Sequence, residues 1–209
     1  MRRRALHAAV IAAGLLPLAW LALRAWRGEL EAEPIKDVTH QTGIWALRLL
    51  LATLAVTPLR SLFGLAALAP YRRTLGLLAF SYATLHLLTY ALLDLWGAWD
   101  TLVEDVLKRP YITVGFAAFL CLVPLAITST RAWIRRLGKR WVQLHRLVYV
   151  AAVAGCLHFL WLVKKDVREP LIYSGILAAL FAARLLLRLR PGFAAATKAR
   201  KSASLSASP

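Results

Sequence analysis

His86, His145 and His158 stand inside long apolar stretches of the sequence. An ionisable group placed there costs a few kcal/mol even on lenient insertion scales, so it is a functional candidate by default. A neutral imidazole is a good ligand for iron, and two of them on neighbouring helices can clamp one haem in a dry apolar slot. With both axial positions filled, such a haem passes electrons instead of activating oxygen. Membrane histidines also hydrogen-bond across helices or relay protons, and the residue types alone leave these three uses open. His145 and His158 lie 13 residues apart, about 20 Å along a helix. On a straight helix the two would also point about 140° apart, so they do not line one face unless the helix bends or both side chains reach around it. His7 and His40 read as an interfacial and a loop histidine. Cys121 and Cys156 each sit in an apolar run and read as small buried hydrophobes. No Cys-x-x-Cys-His occurs, which excludes covalent c-type haem attachment at the motif level.

The elements that must hold these histidines are membrane helices. Apolar residues make up 60% of the 209-residue chain, with a mean hydropathy of +0.60, well above the roughly 45–50% apolar content of soluble domains. The formal charge of +17 would suit nucleic acid, but most of the basic residues flank apolar runs, which points to topology and anionic headgroups instead. Six spans are expected, over about 5–26, 44–63, 75–96, 111–127, 141–163 and 171–187. The first reads as an uncleaved span, with Pro17 as a kink. Arg48, near the start of the second, is expected to snorkel. Residues 27–43 read as a polar, mostly acidic loop, and 97–110 as a near-neutral loop whose Trp96 and Trp99 suit an aromatic belt. The N-terminus, the second and fourth loops and the C-terminal tail are basic, so the positive-inside rule places both termini in the cytoplasm, which requires an even number of spans. The expected class is all-α: a polytopic six-helix transmembrane bundle. Residues 1–43 form the first helix and outer loop, 44–190 the main bundle, and 191–209 a disordered basic tail.

Three stretches carry a resemblance: RRTLGLLAFSYATLHLLTY (72–90), PLAITST (124–130) and RRLGKRWVQLHRLVYVAAVAGCLHFLW (135–161), with GIWALRLLLATLAVTPLR (43–60) fitting as well. Together they resemble the ferric-reductase-like transmembrane family, and within it the haem-binding membrane subunits of bacterial protein-methionine-sulfoxide reductase systems. The Arg-Arg-x-Leu-Gly opening, one histidine on span three and Trp-x-x-Leu-His…His on span five are the specific part, and the likeness covers roughly residues 40–175.

The resemblance implies a multi-pass protein of the bacterial inner membrane that carries heme b, one or two per chain, and FMN. It implies that electrons come from the respiratory quinone pool and pass to a periplasmic molybdopterin-containing catalytic subunit. That partner, not this chain, reduces methionine sulfoxide in oxidised envelope proteins. His86 matches the span-three haem histidine, and His145 and His158 match the span-five pair. Two-haem relatives carry a second span-three histidine where this chain has Arg72 or Arg73, which puts a second bis-histidine haem in doubt. The family pattern then pairs His86 with His158, leaving His145 as a second-site ligand or a proton or propionate partner. Arg72, Arg73 and Arg140 are candidates to hold haem propionates or a flavin phosphate, set against the plainer reading of topology-setting charges. With no Gly-x-Gly-x-x-Gly and no Walker motif, no nicotinamide domain is expected, so the electrons must come from quinol or a separate flavin reductase. A small transporter or proton-relay protein is the alternative. It is disfavoured because no inverted repeat is visible and no acid but Asp94 lies deep in a span. A scaffold that only anchors a partner leaves the three histidines unexplained.

Overall fold

A backbone in lipid has no water to bond, so a chain this apolar must satisfy its peptide groups within helices. The computed structural model describes residues 2–163 and 165–189, and within them the chain forms helices and no strands. The expected basic tail, 191–209, lies outside the described residues. Nine α-helices follow one another among the described residues: α1 (Arg2–Arg27), α2 (Pro34–Phe63), α3 (Arg72–Leu88), α4 (Trp99–Lys108), α5 (Pro110–Ile127), α6 (Arg131–Leu137), α7 (Lys139–Leu144), α8 (Leu147–Leu162) and α9 (Arg168–Leu189). Six segments are long and apolar enough to cross a membrane: Arg4–Arg27, Pro34–Phe63, Ala66–Asp94, Pro110–Ile127, Lys139–Leu162 and Arg168–Leu189. This is a multi-pass, all-helical membrane protein. The six spans expected from hydropathy are all there, with different ends.

The largest differences lie where polar residues masked a helix. Residues 27–43 were expected as a loop, yet α2 begins at Pro34, a proline at its first turn where a missing N–H costs nothing. His40 is therefore helical and not a loop residue. Arg48 falls well inside α2 and does not snorkel to an end. Its Nε donates to the Tyr173 hydroxyl at 2.8 Å, and its guanidinium lies 4.9 Å from the Trp45 ring. The 97–110 loop contains α4. Span five breaks at His145 and Arg146 between α7 and α8, which removes the straight-helix difficulty for His145 and His158.

The bundle is built from two tightly packed helix pairs, α2 with α3 and α5 with α8, with α9 against α2 and α8 and α1 against α3. Leu47, Leu50, Leu54, Leu78, Ala79, Tyr82, Ala151, Ala152 and Cys156 form the shared core. Large side chains such as Trp20, Leu16, Leu120 and Ile172 point outward, as a lipid-facing surface requires. Pro17 interrupts α1, and the Tyr82 hydroxyl enters the gap. It accepts from the Leu18 N–H at 3.1 Å and donates to the Gly14 carbonyl at 2.9 Å, joining the two groups that would bond directly in an unbroken helix.

At the end carrying the 28–33 and 95–109 connections, Arg24 of α1 pairs with buried Asp37 of α2 at 3.1 Å. Tyr90 donates to Asp105 of α4, and Arg109 pairs with the same carboxylate at 2.8 Å. The five ion pairs among the described residues all lie at this end.

Candidate functional site: a facing histidine pair and a basic cavity

The bundle brings His86 of α3 and His158 of α8 together, with ring centroids 6.1 Å apart and planes 76° to one another. Each ring is tethered by its Nδ1. His86 Nδ1 lies 2.7 Å from the Thr39 carbonyl of α2, and His158 Nδ1 lies 2.7 Å from the Tyr111 carbonyl of α5. A carbonyl only accepts, so both Nδ1 atoms carry the proton and both Nε2 atoms keep a bare lone pair. That is the tautomer a metal ligand needs, and a backbone carbonyl on the other nitrogen is the usual orienting partner.

The spacing of the rings can be compared with a shared metal. A ligating imidazole nitrogen sits about 2.0–2.1 Å from its metal, and the ring centre lies about 1.1 Å beyond, so two opposed imidazoles put their centroids about 6.3 Å apart. The observed 6.1 Å fits one atom between them. Among the described residues no group of three or more His, Cys, Asp or Glu side chains converges on a metal position. Two imidazoles without a third protein ligand would suit a metal whose remaining positions a macrocycle supplies, as in haem. The π-helical turn Thr89–Asp94 begins three residues after His86, and such turns recur at functional sites.

His145 is not part of this pair. It ends α7 at the opposite end of the bundle, stacked on Trp141 with centroids 3.8 Å apart. Its Nδ1 lies 3.1 Å from the Trp141 carbonyl, and its buried Nε2 has no hydrogen-bond partner. It lines a cavity of about 450 Å³ together with Arg72, Arg73, Arg146 and Arg188 at the rim and Leu50, Leu77, Phe80, Leu122 and Leu125 deeper in. Arg184 stands nearby on α9 with its guanidinium bonded to the Tyr149 hydroxyl at 2.6 Å and the Leu54 carbonyl at 2.5 Å. An apolar slot with a cationic rim and a buried imidazole lone pair suits a flat, amphiphilic anion.

Of the arginines singled out from sequence, Arg72 and Arg73 line this cavity. Arg140 is exposed and is absent from its lining. Sequence reasoning did not single out Arg146 and Arg188, and it missed Thr39 and Tyr111, whose backbone carbonyls act regardless of side chain. His40 stays at the edge of the pair's surroundings, its ring 6.0 Å from Phe159.

Residues 42–156 match the family model for the ferric reductase like transmembrane component. The chain belongs to that family. A relative from Xanthomonas oryzae is 52% identical over 206 residues, covering 96% of this chain and 93% of its own length. One from Xanthomonas campestris is 52% identical over 213 residues, covering 99% and 94%, and one from Rhodospirillum rubrum is 52% identical over 183 residues, covering 87% and 88%. All three are named protein-methionine-sulfoxide reductase heme-binding subunit MsrQ. No solved structure matches the chain. The resemblance read from the span-three and span-five motifs is borne out.

Proposed function

We propose that this chain is the haem-binding, electron-carrying membrane subunit of a methionine-sulfoxide reductase system, with His86 and His158 as the two axial ligands of a b-type haem. The facing pair carries the reading: two imidazoles at metal-bridging separation, each with its Nδ1 proton committed to a carbonyl. A haem held between His86 and His158 would supply one-electron redox chemistry there. The residues around it position and exclude. Thr39 and Tyr111 hold the rings, while Phe159 and the apolar faces of α2, α3, α5 and α8 keep water away.

The reading extends to direction and partners. Both termini lie in the cytoplasm of a bacterium whose inner membrane holds the protein, which puts the His86–His158 pair towards the periplasm. Electrons enter at the cytoplasmic end, from the quinone pool or a separate flavin reductase. The cavity lined by Arg72, Arg73 and His145 serves there as the second redox site. FMN phosphate or the propionates of a second haem would meet the arginine rim, and the free Nε2 of His145 would face the ring. Electrons leave to a periplasmic molybdopterin-containing catalytic subunit, which carries out the reduction of methionine sulfoxide.

Absorption spectroscopy of the purified protein tests this. Preparations from haem-replete cells should be red, with a low-spin spectrum that sharpens on dithionite. His86→Ala and His158→Ala should each lose the outer haem, lowering haem per chain. A colourless, folded wild type, or a full low-spin spectrum in both variants, would sink the assignment.

A further inference from the structure

The two ligand histidines are held by the same local device, repeated 72 residues apart in the sequence. Thr39 and Tyr111, Gly43 and Gly115, and His86 and His158 are all separated by this interval. In the first copy the His86 ring on α3 bonds the Thr39 carbonyl on α2, one turn before Gly43. In the second the His158 ring on α8 bonds the Tyr111 carbonyl on α5, one turn before Gly115. The helix pairs that carry them, α2 with α3 and α5 with α8, are the two most closely packed in the bundle.

Each glycine is required by contact. A Cβ at Gly43 would stand 2.9 Å from both Cε1 and Nδ1 of His86, and one at Gly115 would stand 2.6 Å from Nδ1 and 2.8 Å from Cε1 of His158. Carbon atoms in contact prefer about 3.5–4.0 Å, so neither ring could stay where it is. Glycine also leaves open the carbonyl four residues earlier. In a helix that oxygen already accepts the N–H of residue i+4, and the side chain at i+4 crowds its free lone pair. With no Cβ at 43 or 115, the imidazole N–H reaches that second lone pair from the side.

We propose that Gly43 and Gly115 are matched positioning residues for haem ligation: each opens a notch that seats one imidazole and exposes the carbonyl that fixes its Nδ1–H tautomer, so that Nε2 faces the iron. The proposal rests on the haem reading above for its ligand, but the notches and tautomers belong to the protein itself. The interval also accounts for the lone His145. Its counterpart 72 residues earlier is Arg73, and both line the basic cavity. The duplication therefore supplies two histidines at one end of the bundle and a histidine with an arginine at the other.

The experiment compares Gly43→Ala and Gly115→Ala with Gly175→Ala, whose added Cβ would find nothing within 4 Å. Removing an orienting partner of a metal ligand typically costs about 10–100-fold in affinity. Haem retention under dilution should fall by about that factor in both notch variants, with partial conversion from low-spin to high-spin absorption, while Gly175→Ala keeps the wild-type spectrum. In haem-free protein, ¹⁵N-histidine NMR should show Nδ1-protonated signals for His86 and His158, each lost in the variant of its own notch. Unchanged retention and spectra in both notch variants would overturn the proposal. So would loss of the haem-free protein's thermal transition, which would assign the glycines to helix packing. A wild type without haem but with both notch-dependent tautomer signals would refute the haem reading and leave the notches standing.

Discussion

The Tyr82 hydroxyl replaces a helical hydrogen bond in another element. It joins the Leu18 N–H and the Gly14 carbonyl beside Pro17 and so ties that turn of α1 to α3. Tyr82 is 2% exposed, so no solvent takes its place when the hydroxyl is removed. Interhelical hydrogen bonds in membranes average about 0.6 kcal/mol, with larger cases near 1.7. Tyr82→Phe should therefore lower stability in detergent by about 1 kcal/mol, because two bonds are lost while the backbone groups partly rejoin. Thermal unfolding followed by circular dichroism checks this, and an unchanged midpoint would show that the hydroxyl contributes nothing. At the same scale the site histidines divide. His86 and His158 have one nitrogen committed and one free for a metal, whereas His145 has its free nitrogen in a cavity rimmed by cations.

Among the elements, α4 depends most on one contact. It is short, and Trp99, Val103 and Leu107 lie exposed along it, following Trp96 at 85% exposure and a positive φ of 51°. Asp105, 5% exposed, turns the other way and holds α4 to the bundle through Tyr90 and Arg109. The two partners are not equal. Arg109 is half exposed, and an ion pair to so accessible a group contributes little. Tyr90 loses its acceptor if Asp105 is removed, at a cost of about 1–3 kcal/mol. Asp105→Ala should raise amide exchange across 99–108 by roughly one to two orders of magnitude and leave α5 and α8 protected. Equal exchange in variant and wild type would dismiss the clasp, and the haem spectrum should be unaffected, since none of the contacts of His86 or His158 runs through α4. The break in span five also belongs to this scale. The helix stops at His145 and restarts at Leu147, so the two span-five histidines serve different ends.

For the whole molecule, charge asymmetry and cofactor placement must agree. The acidic residues pair at the end beside His86 and His158, and the end beside His145 carries arginines with no ion pair among the described residues. The orientation proposed above, which follows the positive-inside rule, puts the basic cavity on the cytoplasmic side. Single cysteines introduced at Ala98 and Gly138, in a background lacking Cys121 and Cys156, should label from opposite sides: Ala98 from the periplasm in intact cells, Gly138 only after permeabilisation. The reverse pattern would invert the direction of electron flow proposed above.

The sequence by itself determined the class, the number of spans and the family. Length, hydropathy and motif spacing are local properties, and a bilayer turns them into helices with little help from packing. It also selected all three membrane histidines and, through the family pattern, the pairing of His86 with His158. Depth alone did not choose that pair. Only the tertiary structure could set His86 beside His158 at 6.1 Å, because the distance between two helices depends on the glycines and carbonyls of two further helices. The same holds for α2's start at Pro34, hidden in sequence by the polar residues of its first turns, and for Arg48, whose partner Tyr173 lies 125 residues away. The cavity that gathers Arg72, Arg73, Arg146, Arg188 and His145 while leaving Arg140 outside was equally illegible. A basic residue near a span end carries the same sequence signal whether it faces headgroups or a cavity, and only the arrangement of neighbouring helices separates the two.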